Sequence, residues 1–335
     1  MNGPRARRAL VTGFTGQDGS FLSELLLERG YEVTGMVRGA LCEPLGASEH
    51  LRDRVQLLVG DLADPTSLRA AVHGSAPDEV YHLAGPSYVP RSWERPGETM
   101  SAIVQGTATV LEAVRELDSG PRVFVAASGA MYGDAGTAPQ DEQTPCRPDT
   151  PYAVAKLAAH QLVGAMREHD GLHACSGIVF NHESERRPSA FVTRRITRAA
   201  AAISLGQASE CSLGDLDAVR DWSFAGDVMR GAWMMLQHAR AQDYVLASGV
   251  ARTVGELAQV AFACVDLDFE RFVRVDPSLV RPPEGTPSVG NPGRARRELG
   301  WEPRVTFQAL VERMVRADLD ALDPRRCGPG VRTRP

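Results

Sequence analysis

The sequence predicts an α/β fold: a doubly wound parallel sheet with a smaller C-terminal lobe. Three observations predict it. Buried-strand runs alternate with helix-period apolar patterns through the first half. A glycine-spaced turn follows the first strand and opens the first helix. The alternation becomes irregular after about Asn181, where a second lobe is expected.

The elements follow in order. Arg8 to Thr12 reads as a buried strand. Phe21, Leu22, Leu25, Leu26 and Leu27 then form a broad apolar stripe on a helix. Strands are predicted at Glu32–Val37, Val55–Val59 and Glu79–Leu83, followed by a long helix from Pro96 to Leu117. Arg122–Ala127 is a strand, Pro151–His169 a helix and Ala174–Phe180 a strand. Such alternation places helices on both faces of a parallel sheet. Beyond it, helical stretches lie near Phe191–Leu205, Ala225–Ala239, Val254–Cys264 and Phe307–Leu322, with short strands near Tyr244–Leu246 and Phe272–Val275. The expected division is a dinucleotide-binding domain over 1–180, a second lobe over 181–322 with some of it crossing back to the sheet, and a disordered tail over 323–335, rich in Pro, Gly and Arg.

A chain of 335 residues can bury a large core. Its net charge of −5 argues against a general nucleic-acid binder. No apolar run approaches the ~20 residues of a membrane helix. The basic start Met1 to Arg8 leads into a strand and a Gly-rich turn, not a signal-peptide core, so a cytoplasmic protein is expected. The six cysteines form no CxxC pair and the eight histidines show no metal-ligand spacing, so no metal site is expected. His82 and His182 read as structural.

Thr12-Gly13-Phe14-Thr15-Gly16-Gln17-Asp18-Gly19 carries the GxxGxxG spacing between a strand and a helix. That context marks a Rossmann-type turn, where bare backbone approaches a pyrophosphate and a helix N-terminus stabilises its charge. Arg38 ends the second strand where an NAD site usually has Asp or Glu. An arginine there pairs with a 2′-phosphate, so NADP is the expected cofactor. Asp61 and Leu62 are placed at the adenine. Leu83, Ala84 and Ser87 are placed along the middle of the cofactor, Ser87 reaching the substrate as well.

Catalysis is expected from Ser128, Tyr152 and Lys156. An alcohol losing hydride to nicotinamide needs a base for its proton. Tyrosine, which in water ordinarily titrates at about 10, is too weak unless a nearby cation favours the phenolate. Tyr152 and Lys156 are four apart, so they share a helix face, and Ser128 ends the preceding strand. Together with the turn, this is the pattern of an extended short-chain dehydrogenase/reductase.

The second half is more specific. Phe180-Asn181-His182-Glu183-Ser184, Phe191-Val192-Thr193-Arg194-Arg195-Ile196, Gly214 to Trp222, and Arg281-Pro282-Pro283-Glu284 resemble GDP-mannose 4,6-dehydratases, as does Thr15 to Gly19. The resemblance spans roughly residues 8 to 320. It implies NADP, a GDP-sugar substrate, and a substrate site with Asn181, Val192, Arg195, Arg220, Arg281 and Glu284. It also implies a homodimer or homotetramer paired through the two long helices. Arg195 stands where the family has Lys, which keeps charge but not geometry.

One departure matters more. The resemblance implies Thr and Glu at the positions of Ser128 and Ala130, and the family's Glu removes the C5 proton and helps expel the C6 hydroxyl. Alanine transfers no proton; losing a positioned acid/base costs about 10²–10⁴ in rate. Four readings stay open. These are a GDP-sugar 4-epimerase, a 4-keto-sugar reductase, a dehydratase with a substitute acid/base, and a non-catalytic nucleotide-sugar-binding homologue. The epimerase is favoured, and the room near C6 suggests a longer C6 chain, such as that of an octose, in antibiotic biosynthesis.

Overall fold

The computed structural model describes residues 5–280, 285–323 and 325. Arg281, Glu284 and nearly all of the expected tail lie outside the described residues.

The α/β expectation holds. Seven parallel strands form the central sheet, in the order β10-β6-β5-β4-β1-β2-β3. They are β1 (Arg8–Thr12), β2 (Glu32–Val37), β3 (Gln56–Val59), β4 (Glu79–His82), β5 (Arg122–Ser128), β6 (Ala174–Val179) and β10 (Tyr244–Leu246). β7 (Asn181–Glu183), β9 (Val219–Phe224) and β11 (Ala251–Thr253) make a second small sheet, and β8 (Cys211–Leu213) pairs with β12 (Val273–Val275). The central strands are buried on both faces, which explains their continuous apolar runs. One face packs Leu22, Leu26, Val228, Met235 and Trp301; the other packs Leu68, Val72, Val110, Leu111 and Val163.

Helix starts follow from local chemistry. Thr150 caps the helix Pro151–Asp170 by accepting from the Ala153 N–H, and Pro151 occupies the first turn, where no N–H partner is needed. Gly171, at φ 69°, ends it. Thr253 and Glu256 form a reciprocal capping box on Val254–Ala263.

The helix expected over Pro96–Leu117 keeps its course but not its regularity. Pro96–Met100 leads into a wider π turn at Ser101–Gln105, then Gly106–Arg115. The Thr107 hydroxyl donates back to the Ile103 carbonyl at 2.7 Å beside that turn.

Two elements beyond residue 180 return to the central sheet. β10 extends its edge beside β6, and the helix Ala225–Gln237 packs on Gln17–Glu28. The helices Val192–Ser204, Val254–Ala263 and Phe307–Leu322 surround a separate apolar cluster of Ile196, Leu213, Trp222, Leu257, Phe262 and Val311.

Trp301 anchors the late chain to the central core. It is fully buried and its indole N–H donates to the Asp227 carbonyl at 2.8 Å. Trp301→Ala should cost about 3–5 kcal/mol, and Trp301→Phe much less, as read from denaturant midpoints.

Candidate active site

The strand order reverses between β1 and β4, so their carboxyl ends open a crevice. The chain turns there at Gly13, with φ 71°; a Cβ on it would lie 2.8 Å from the Ala84 nitrogen. A Cβ on Gly19 would lie 2.4 Å from the Gly13 carbonyl oxygen. Only glycine permits this seating of the helix Gln17–Glu28, whose first residues carry no side-chain cap. The N-terminus therefore offers its N–H groups to an anion, which fits a dinucleotide pyrophosphate.

Thr12 organises the floor of the crevice. Its hydroxyl accepts from the Leu83 and Ala84 N–H groups at 3.1 Å each. With both lone pairs used, it donates to His82 Nδ1 at 2.9 Å. Burial, with the Lys156 charge, holds His82 down to about 3, so the imidazole stays neutral. Arg38 follows the end of β2 and is exposed; Ser87 is exposed beyond β4. Asp61 turns the chain after β3 by accepting from the Ala63 N–H at 2.9 Å, and Leu62 packs against the core beside Gly106. Thr15 lies in the turn, its carbonyl accepting from the Ala47 N–H at 3.1 Å.

Ser128, Tyr152 and Lys156 meet at the end of β5. Burial raises the Tyr152 phenol above its ordinary value, opposed by a hydrogen bond with Ser128 and by the Arg187 charge. The Lys156 ammonium donates to the Ala126 carbonyl at 2.7 Å and lies 5.9 Å from the centre of the Tyr152 ring. Burial pulls it down to about 8, with Asp18 opposing. Ala130 packs against the apolar cluster that holds Ile103 and Tyr152, as do Val89, Met100 and Val104, and its backbone N–H donates to the Ser128 hydroxyl at 3.2 Å.

Of the proposed substrate residues, Asn181 opens β7 beside Trp222 of β9, and Arg220 lies on β9. Val192 starts the helix Val192–Ser204, with Arg195 exposed one turn on.

The sequence reading missed an ionic cluster under the glycine turn. His182 sits in β7 and is buried. Its Nδ1 donates to the Phe180 carbonyl at 2.7 Å and its Nε2 meets Asp18 at 2.9 Å. Two acceptors require two N–H groups, so the ring is an imidazolium. Burial opposes that charge, but Asp18 prevails and raises the His182 value. Burial likewise opposes the Asp18 carboxylate, yet His182 and Gln17 hold it at about 2. Gln17 also donates to the His182 carbonyl at 3.2 Å and accepts from the Ser184 hydroxyl at 2.7 Å. Arg187 stacks on Phe191 at 3.6 Å and pairs with Glu183 at 3.2 Å. The available signal was that His182 is next to Asn181 in a short segment already marked for substrate. No group of three or more potential metal ligands occurs among the described residues.

The pH dependence follows from the two shifts. The depressed Asp18 value stabilises above its unfolded pKa near 4, and this is lost as pH falls toward about 2. The raised His182 value stabilises below about 6.5, and this is lost as pH rises through the folded value. His182→Phe leaves Asp18 without its charge partner and should cost about 3 kcal/mol. The deficit relative to wild type should be greatest between about pH 4 and 6.5 in denaturation curves across pH.

Comparison with known proteins places this geometry. The GDP-mannose 4,6 dehydratase family profile matches residues 10–314. GDP-mannose 4,6 dehydratase 1 of Arabidopsis thaliana is 43% identical over 324 residues, covering 93% of this chain and 90% of the relative. GDP-mannose 4,6-dehydratase of Sinorhizobium fredii is 42% identical, covering 94% and 97%. Among solved structures, RMD from Pseudomonas aeruginosa, complexed with NADPH, superposes with TM-score 0.81 at 25% identity, covering 95% of this chain and all of that one. UDP-glucose 4-epimerase of Thermus thermophilus, complexed with NAD, gives 0.82 at 26%, covering 94% and 100%. With a family match across most of its length and a crevice at the carboxyl ends of its central strands β1 and β4, this chain belongs to the GDP-mannose 4,6-dehydratase family of nucleotide-sugar-modifying enzymes.

Proposed function

We propose that the protein is an NADP-dependent GDP-sugar 4-epimerase. The observation that carries this reading is Ala130 itself, a methyl side chain beside the Ser128, Tyr152 and Lys156 set. At the position where the family has its glutamate stands a methyl group, which transfers no proton, packed against the apolar cluster of Ile103 and Tyr152. The Ser128, Tyr152 and Lys156 set is complete beside it. Oxidation and reduction at C4 are thus provided for, whereas elimination across C5 and C6 is not.

Bound NADP would accept hydride from C4 and return it. Tyr152 takes the C4 hydroxyl proton, with Ser128 hydrogen-bonding the same oxygen. Lys156, anchored on Ala126, adds positive potential beside the phenolate. The 4-keto sugar turns over in the pocket, and Tyr152 returns its proton when hydride arrives on the opposite face. No net oxidation occurs. Arg38, exposed at the end of β2, supports NADP over NAD by pairing with the 2′-phosphate. Asn181, Val192, Arg195 and Arg220, with Arg281 and Glu284 and with Ser87 at the cofactor side, are assigned to the GDP-sugar. The small side chain at Ala130 leaves space for an extended C6 chain, such as that of an octose. The paired helices around Gly106–Arg115 and Pro151–Asp170, with Val154 exposed, are assigned to a homodimer or homotetramer contact.

Solvent isotope labelling tests the reaction. With GDP-mannose, no 4-keto-6-deoxy product should form. With the true substrate in deuterated water, no deuterium should enter C5 or C6, and no added NADPH should be consumed. Deuterium at C5 would overturn the epimerase in favour of a dehydratase; stoichiometric NADPH consumption would overturn it in favour of a reductase.

The cofactor assignment has its own test. Arg38→Ala removes a charge-assisted contact of ~1.5–3 kcal/mol, so NADP should bind roughly ten to more than a hundred fold more weakly. NAD binding should barely change. Equal losses for both would show that Arg38 does not read the 2′-phosphate.

A further inference from the structure

Residues Gly285 to Asn291 form a strap between the loop leaving β5 and the strand that carries Arg220. Gln140 clasps it from the loop side. This residue is 1% exposed, and every polar group it has is used on the strap or its own loop. Its backbone N–H donates to the Val289 carbonyl at 2.8 Å, and its carbonyl accepts from the Asn291 N–H at 2.7 Å. Its side-chain oxygen accepts from the Val289 N–H at 3.1 Å. Its side-chain nitrogen donates to the Pro287 carbonyl at 3.0 Å and the Thr137 carbonyl at 2.8 Å.

Asp221 holds the strap from the other side. It is fully buried next to Arg220 and accepts from the Gly290 N–H at 3.2 Å. It also accepts from the Gly249 N–H at 2.8 Å and the Ser248 hydroxyl at 2.6 Å. Between these two clasps, Ser288 forms a β-bridge with Arg220 itself. At the outer end, Thr286 accepts from the Gly136 N–H at 2.9 Å and donates to Asp134.

A buried carboxamide with no spare group, spent on one irregular segment, orders that segment before any ligand arrives. The segment's neighbour is a candidate diphosphate ligand. The catalytic set has separate supports: Lys156 is held by Ala126, and Tyr152 sits in a capped helix. We propose that Gln140 is a positioning residue for nucleoside-diphosphate recognition, acting through the strap on Arg220. This rests on the reading of Arg220 as a ligand of the GDP-sugar.

The test uses full-length wild type, Gln140→Met, Thr286→Val and Arg220→Ala, with GDP as the probe in calorimetric titrations. Bound NADP released on denaturation is measured alongside. Gln140→Met keeps volume and removes the amide, and GDP should bind it about tenfold or more weakly, a loss of ~1.4 kcal/mol or more. Thr286→Val should weaken GDP several fold, and NADP content should stay at the wild-type level in both. A merely structural fault would lower GDP and NADP binding together, and that result overturns the proposal. Unchanged GDP affinity in Gln140→Met overturns it as well; if that variant does not fold, unchanged affinity in Thr286→Val does so. Wild-type affinity in Arg220→Ala removes the premise and the proposal with it. Preference of the wild type for UDP or dTDP removes only the guanine assignment, and the same split is then read with the preferred nucleotide.

Discussion

The close approach of β1 to the chain leaving β4 is the constraint on which the crevice depends. At that point the two strands part, and the Leu83 and Ala84 N–H groups need acceptors. The Thr12 hydroxyl supplies both, and its own proton goes to His82. A buried amide without a partner would cost about 1–3 kcal/mol, so one hydroxyl here stabilises both sides of the opening. The same approach excludes any side chain at Gly13. At that turn the chain presents bare backbone, which suits a ligand whose charge is carried by phosphates.

Charge around the crevice is arranged in pairs. Asp18 would place a carboxylate at an anion-binding helix end, which is unfavourable for a pyrophosphate. His182 as an imidazolium, with Arg187 close by, offsets it. This ties the cofactor turn to β7, the strand that also carries Asn181. The glycine turn and the strand of Asn181 are therefore joined through one part-buried ion pair.

The helix Pro151–Asp170 is held in a different way. Thr150 and Pro151 set its start, and Lys156 is bound to the Ala126 carbonyl. Tyr152 and Lys156 therefore keep their relation to β5 independently of what fills the pocket. Ala130 joins the same end of β5 through its backbone N–H, which donates to the Ser128 hydroxyl at 3.2 Å, and its side chain adds a methyl group to the cluster around Tyr152. A fold of this kind supports several reactions on one oxidation step.

By itself the sequence determined the parallel sheet and its order of elements, because doubly buried strands and capped helices leave strong local patterns. The glycine turn and the Ser128, Tyr152 and Lys156 spacing were legible for the same reason: each rests on residues a few positions apart. The π turn at Ser101–Gln105 left no such pattern, since its residues are those of an ordinary helix. The return of β10 to the sheet edge was decided by pairing with β6, which no local signal encodes. The Asp18–His182 pair spans 164 positions, and the Gln140 strap 147 or more. Contacts of that separation are made only when the crevice closes around them. Only the tertiary structure shows that His182 is the charged partner of Asp18 in the glycine turn, and that Gln140 clasps the segment bridged to Arg220.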